Sequence, residues 1–304
     1  MPDGLLNLLK TPGMTSHDLV DQVRRITGMR RVGHSGTLDP AAAGVMIVML
    51  GSFTSLSRFL SEVTKVYRAE ITLGVETDTL DGEGRVVRRA SAATVTRADV
   101  RRELEGLTGE LEIAPPLYSA VRQQGRRLYE MARRGESVER QPRPMRVLRF
   151  ELLAFEPGEN ARALTEVECS KGTYVRSLAA LLGERLGCGA YLSFLVRTRA
   201  GAHRVADSLT VAELAELARQ GRLGEALVPA DEALADFTRL VASPEAARAL
   251  ASGNAVAAWE DVSVGEFVGV LTGDGRLLAV AEVCVAGGEH VIQPRRVLMG
   301  ADEL

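Results

Sequence analysis

Apolar side chains first fall into step behind Thr15-Ser16-His17-Asp18, where Leu19, Val23 and Ile26 recur at helical spacing. A hydroxyl residue followed three positions later by a carboxylate marks a helix start, because each side chain can satisfy the other's free backbone N–H. Arg24 and Arg25, then Arg30 and Arg31, follow where cations suit the negative end of a helix. Gly33 to Pro40 reads as a loop, and the unbroken apolar run from Val45 to Leu50 as a buried strand. From Val66 to Leu73 the pattern alternates. Val66, Arg68, Glu70 and Thr72 oppose Tyr67, Ala69, Ile71 and Leu73, which predicts a strand with two unlike faces. Thr96-Arg97-Ala98-Asp99 repeats the capping pattern ahead of Val100, Leu104 and Leu107. Pro115-Pro116 breaks the chain before Tyr118, Leu164 to Cys169 predicts another strand, and Val175 to Leu186 a helix closed by Gly187. Strands and helices interleave irregularly, so the expected fold class is α+β (mixed α/β) around a mixed sheet rather than a strict βαβ repeat.

The pattern changes after about residue 205. Ala-, Leu- and Glu-rich segments from Thr210 to Leu250 read as helices, and then Phe267 to Leu271 and Leu277 to Val285 read as strands. Thr272-Gly273-Asp274-Gly275-Arg276 between them is a hairpin signal. This divides the chain into a larger mixed-sheet domain over residues 1–230 and a small β-rich module over residues 236–304. With 46% hydrophobic and 25% charged residues, a chain of 304 can bury a core, which excludes disorder as its main state. No apolar run approaches the roughly 18 residues of a membrane span, and Met1-Pro2-Asp3-Gly4 lacks the basic start of a signal peptide. Cys169, Cys188 and Cys284 are odd in number and far apart, which argues against disulfides or a zinc site and for a reducing cytoplasm.

Charge alters the picture once it is divided. Residues 205–304 hold 16 acids and 7 bases, whereas the first 204 hold 24 acids and 30 bases. Between Arg122 and Arg149, nine arginines face only Glu130, Glu136 and Glu139. Such a stretch suits a phosphate backbone, and equally a solvated helical face. Only three of the 37 basic residues are lysines: Lys10, Lys65 and Lys171. An ammonium on a flexible stem does not replace a planar guanidinium, so these sites are candidates for needing lysine's shape.

Loops for nucleotide cofactors, zinc-protease helices and serine-hydrolase elbows are missing, and four scattered histidines do not suggest a metal site. What remains is Gly33-His34-Ser35-Gly36-Thr37-Leu38-Asp39-Pro40, running through Ala41-Ala42-Ala43-Gly44 into a strand. Its glycines allow close backbone approach, and Pro40 biases Asp39 toward an extended conformation. Asp39 is then either a carboxylate presented on a stiff turn or a side chain that merely caps that turn. Ser170-Lys171-Gly172-Thr173-Tyr174-Val175-Arg176 joins a strand to a helix. Arg176 can grip a carboxylate with two parallel hydrogen bonds, and Tyr174 can pack on a base or a sugar. Lys65-Val66-Tyr67-Arg68-Ala69 places a tyrosine on a strand, where core packing is the ordinary role.

These segments occur in order with Pro115-Pro116-Leu117-Tyr118-Ser119-Ala120, Leu186-Gly187-Cys188-Gly189-Ala190 and Leu195-Val196-Arg197-Thr198. In that set, from about Leu6 to Gly201, the chain resembles the TruB family of bacterial tRNA pseudouridine synthases. The tail resembles, more loosely, the family's PUA module, a small RNA-binding β fold. One departure is that Lys10-Thr11-Pro12-Gly13-Met14-Thr15-Ser16 carries its proline one place later than the family's usual Lys-Pro-x-Gly-x-Thr-Ser.

The resemblance implies a reaction that breaks the N1–C1′ bond of a uridine, turns the base and rejoins it through C5, with no cofactor and no metal. Asp39 is implied as the catalytic carboxylate, acting at C1′ by covalent attack or by proton abstraction. Tyr67 is implied as the ring that stacks on the target base and helps move the C5 proton. Arg176 is implied as the partner that orients Asp39 and so depresses its pKa. The implied substrate is uridine 55 in the T-loop of tRNA, taken out of its stack to reach the site. His34 then meets the displaced loop, Tyr174 and Leu195 line the base pocket, and Lys10 and Lys65 are further substrate contacts. Arg122–Arg149 becomes a surface for the T-arm backbone, with Arg295 and Arg296 as candidate contacts in the tail. Residues 1–230 are then the catalytic domain and 236–304 an RNA-binding module of a monomer with no membrane and no obligate protein partner. Two other readings stay open: a pseudouridine synthase for another RNA, and a tRNA-binding folding factor that does not need Asp39.

Overall fold

The computed structural model describes residues 3–119, 121–123, 126–128, 131, 134 and 140–304. In chain order its strands begin with β1 (Gly4–Lys10), β2 (Val32–His34), β3 (Ala43–Leu50) and β4 (Lys65–Leu73). Next come β5 (Val75–Thr77) with β6 (Val86–Arg89), β7 (Gly109–Ile113), and the paired β8 (Arg122–Gln123) and β9 (Arg126–Arg127). Then follow β10 (Arg143–Glu156), β11 (Arg162–Cys169), β12 (Ala190–Ala200) and β13 (His203–Arg204). The main sheet runs β1-β3-β12-β4-β11-β10-β7, with β2 beside β3 and β13 beside β12. The β3–β12 pair is parallel and its neighbours antiparallel, so the sheet is mixed.

Sequence and sheet agree where burial is strong. The Val45–Leu50 run is unbroken because β3 is covered on both sides. Met46 and Val48 join one core with Leu6, Ile71 and the helices, while Val45, Ile47 and Met49 join a second core on the other face. In β4 the alternation separates Ala69 and Ile71, in the first core, from Arg68 and Glu70 on the open face. That open face is laced by ion pairs from Arg68 and Arg149 to Glu166 and from Arg199 to Glu168. Helices Ser16–Thr27, Arg97–Gly106, Val175–Arg185 and Val211–Arg219 cover the first core. Thr15 with Asp18, Thr96 with Asp99, and Thr210 with Glu213 close reciprocal caps at three of their starts.

Three elements differ from the sequence expectation. The Gly33–Pro40 segment begins in a strand, since β2 pairs Gly33 with Met49 and His34 with Val48. The basic Arg122–Arg149 stretch lies partly outside the described residues; in its described part Leu128 and Met131 are helical, while β8, β9 and the start of β10 are strand. Within the stretch expected to be helical, Thr238–Val241 forms β14, parallel to β16 (Phe267–Leu271). β14-β16-β17-β18-β15 is a separate five-stranded sheet, with β15 (Val256–Ala257), β17 (Leu277–Ala286) and β18 (Glu289–Val297). Leu234, Leu271, Leu277 and Val280 from this C-terminal region share the second core with Leu5, Ile47 and Phe59. Among the described residues no helix is long and apolar enough to cross a membrane.

Candidate active site

A cavity of about 380 Å³ opens where the end of β11 and the start of β4 meet the Ser35–Asp39 loop and the middle of β12. Asp39, Lys65, Tyr67, Tyr174, Arg176 and Leu195 all line it. Two anchors hold the Asp39 loop from behind. Ser16 Oγ accepts from Leu38 N–H at 2.9 Å and pairs with Leu38 C=O at 3.1 Å. The Lys10 ammonium donates to the carbonyls of Thr11, Pro40 and Ala42 at 3.2, 3.1 and 2.7 Å. Lys10 is 0% exposed and does not line the cavity, and its ammonium is engaged by these three carbonyls.

Arg176, in the first turn of the Val175–Arg185 helix, grips Asp39 from the opposite wall. Its Nε lies 2.9 Å from Asp39 Oδ2 and its Nη2 donates to Oδ1 at 3.1 Å. Its remaining N–H groups reach Tyr118 C=O (3.0 Å), Asp81 Oδ2 (3.1 Å) and Thr79 C=O (3.2 Å). Four of its five N–H groups therefore donate hydrogen bonds, and the fifth, on Nε, stands at ion-pair distance from Asp39. The Arg176 side chain keeps only 6% of its surface open, but Asp39 keeps 39%, so of this pair the carboxylate is the group a ligand can reach. Burial pushes the Asp39 carboxyl above the usual carboxylate range; Arg176 opposes this, Asp81 reinforces it and Lys10 opposes it. The depressed pKa expected from the arginine pair is thus reversed, because burial outweighs the pull of Arg176 and the Asp81 charge adds to it.

Asp81 carries no signal in the sequence, since Thr77-Asp78-Thr79-Leu80-Asp81-Gly82 reads as an ordinary turn. The turn is strained: Leu80 has φ 64°, the one positive φ among described non-glycine residues. Leu192 N–H donates to the Leu80 carbonyl at 3.0 Å and Thr77 Oγ1 to the Asp81 carbonyl at 2.7 Å, which fix the Asp81 carboxylate toward Arg176.

Arg197, which the sequence offers only as part of the Leu195–Thr198 motif and with no role, is a second site residue. It is 2% exposed, donates from Nε to Val45 C=O at 2.7 Å and from Nη2 to Gly36 C=O at 3.2 Å, and stands directly opposite Tyr67 where β12 pairs with β4. Burial raises the Tyr67 phenol pKa against the pull of Arg197, so the ring stays neutral. Gly44 makes room for this arginine's backbone: its φ is 120°, and an added Cβ would fall 2.2 Å from the Arg197 carbonyl oxygen.

Lys65 donates to the Ser61 and Val63 carbonyls at 2.5 Å each, and burial with Arg197 nearby lowers its pKa to about 8. Exposed Lys171 pairs with Glu62 across the cavity rim. His34 lies outside the lining, its Nδ1 accepting from Gly36 N–H at 3.2 Å, and burial lowers its pKa so that the ring is neutral at pH 7. Among the described residues no cluster of His, Cys, Asp and Glu is arranged to hold a metal.

Comparison with known proteins bears on this geometry. Residues 24–175 match the model of the TruB family pseudouridylate synthase N-terminal domain. The chain is 44% identical over 288 residues to tRNA pseudouridine synthase B of Pelotomaculum thermopropionicum, covering 92% of this chain and 91% of that protein. It is 50% identical over 255 residues to the protein of the same name from Symbiobacterium thermophilum, covering 84% and 83%. A crystal structure of a Cbf5–Nop10–Gar1 complex superposes with a TM-score of 0.77 at 25% identity, covering 99% of this chain and 86% of the other.

Proposed function

The chain belongs to the TruB family of pseudouridylate synthases, RNA-modifying isomerases, and from that membership we propose that it converts uridine 55 in the T-loop of tRNA to pseudouridine. The observation that carries the reading is the two-point Asp39–Arg176 grip inside a cavity that also holds Tyr67, Tyr174 and Leu195. In this reading the uridine leaves its stack and enters with C1′ facing Asp39. Tyr67 stacks on the base, Tyr174 and Leu195 close around it, and His34 meets the loop left behind.

Each supporting residue then has a mechanical duty. Arg176 keeps the Asp39 carboxylate in one orientation while Asp81 keeps Arg176 in place. Arg197 backs Tyr67 across the β12–β4 pair, Lys65 fixes the rim beside it, and Lys10 holds the Asp39 loop. Residues 1–230 act as the catalytic domain. The exposed arginines at the start of β10, Arg143 and Arg146, and the 236–304 module take the flanking RNA.

The test is an unmodified tRNA transcript mapped for pseudouridine. Asp39→Asn should abolish product while tRNA affinity stays within about threefold of the parent, since the substitution keeps the side chain's shape. Product formed at the parental rate by Asp39→Asn would reject the assignment.

A further inference from the structure

We propose that the C-terminal module positions the rim of the catalytic pocket, through Phe267 and Asp236 acting on the segment Ser57–Lys65. The Ser57–Leu60 helix is a single turn, and a helix that short has no stability of its own. Its place is therefore set by what packs on it. The Phe267 ring, on β16, meets the Phe59 ring edge to face at 5.2 Å and 66°, and the Arg58 guanidinium lies over both rings.

A second support comes from Asp236. Its Oδ2 accepts from Ala202 N–H at 2.9 Å, in the turn that leaves β12. The neighbouring Gly201, with φ 56°, leaves the space this carboxylate occupies, since an added Cβ would lie 2.0 Å from Oδ2. Gly201 N–H in turn donates to Thr64 C=O at 2.8 Å. The segment is thus pinned near both of its ends by residues beyond position 200.

On the pocket side the same segment is cavity wall. Ser61 and Lys65 line the cavity, and the Lys65 ammonium closes the turn through the Ser61 and Val63 carbonyls. Glu62 holds Lys171 on the facing wall, and Tyr67 follows two residues after Lys65. Displacing Phe59 or Thr64 must therefore move the carbonyls that hold Lys65, and with them the start of the strand that presents Tyr67. Phe267 and Asp236 do not line the cavity themselves, so they are positioning residues.

The full chain tests this in two arms, of which only the kinetic arm rests on the proposed activity. Phe267→Leu keeps an apolar side chain but removes the ring contact, and Phe267→Tyr restores the ring. Amide hydrogen exchange over residues 57–65 should quicken about three- to tenfold in Phe267→Leu, the range expected for one aromatic pair, and return toward the parental rate in Phe267→Tyr. With unmodified tRNA, kcat should fall by a similar factor while KM stays within about twofold. Asp236→Asn should move both readouts in the same direction. Unchanged exchange over 57–65 overturns the proposal, as does faster exchange with kcat unchanged or an effect confined to KM. If the parent protein forms no pseudouridine in any tRNA, the activity reading fails and the exchange arm alone decides the coupling.

Discussion

Arg176 has no N–H to spare, which makes it the least replaceable cation of the pocket. Lysine offers three donors from one point and cannot span both Asp39 oxygens and Asp81. Arg176→Lys should lower kcat by about a hundredfold, the usual consequence of a misplaced reacting group. The acid limb of its pH–rate profile should also move to higher pH, because burial and Asp81 then raise the Asp39 pKa with less opposition. The buried lysines behave differently. Burial lowers Lys10 from the ordinary 10.5 to about 8, so between those values the unfolded chain holds the proton more tightly than the fold. The contribution of Lys10 to stability therefore rises with pH across that window. Melting temperatures of the parent and Lys10→Met, compared from pH 8 to 10.5, should show a smaller rise in the variant. At this scale the sequence makes Asp39, Tyr67 and Arg176 legible because a distinctive motif surrounds each. Asp81 is not legible, because it sits in a turn-forming tract, and Arg197 is visible only as part of the Leu195–Thr198 motif, its place in the site shown by its burial in the structure.

Among the elements, legibility follows burial. β3 and β4 announce themselves because their side chains face a core on both sides or on one. β10 does not, since its arginines and the ion-paired face it shares with β11 dilute the apolar period. β14 is masked by the Ala-rich tract around it, and its strand state comes from pairing with β16 rather than from local preference. Gly44 is a point where two elements tightly constrain each other, because β3 and β12 run parallel there with Gly44 opposite Arg197. Gly44→Ala should cost roughly 2–5 kcal/mol, combining backbone strain with a forced clash. Denaturant unfolding would register it, and kcat should fall as well because Arg197 lines the cavity opposite Tyr67.

For the whole molecule, charge is distributed by region: basic over residues 1–204, most densely between Arg122 and Arg149, and acidic after residue 205. Arg143 and Arg146 are exposed, whereas Arg149 already pairs with Glu151 and Glu166. Neutralising Arg143 and Arg146 together should weaken binding across tRNA sequences and flatten its salt dependence by about one log–log unit for each phosphate left without a cation. Replacing Arg149 should affect the sheet more than the salt slope. The strand order carries a further consequence, for the growing chain. β12, the last long strand of its sheet to be made, is the one that joins β1-β3 to β4-β11-β10-β7. Until Ala200 has left the ribosome, Asp39 and its loop belong to one half of an unclosed sheet while Tyr67 and Arg176 belong to the other. Closure waits on contacts distant in sequence, which form slowly and leave apolar edges open meanwhile. A nascent chain stalled before β12 should therefore lack the assembled pocket, however much of its secondary structure has already formed.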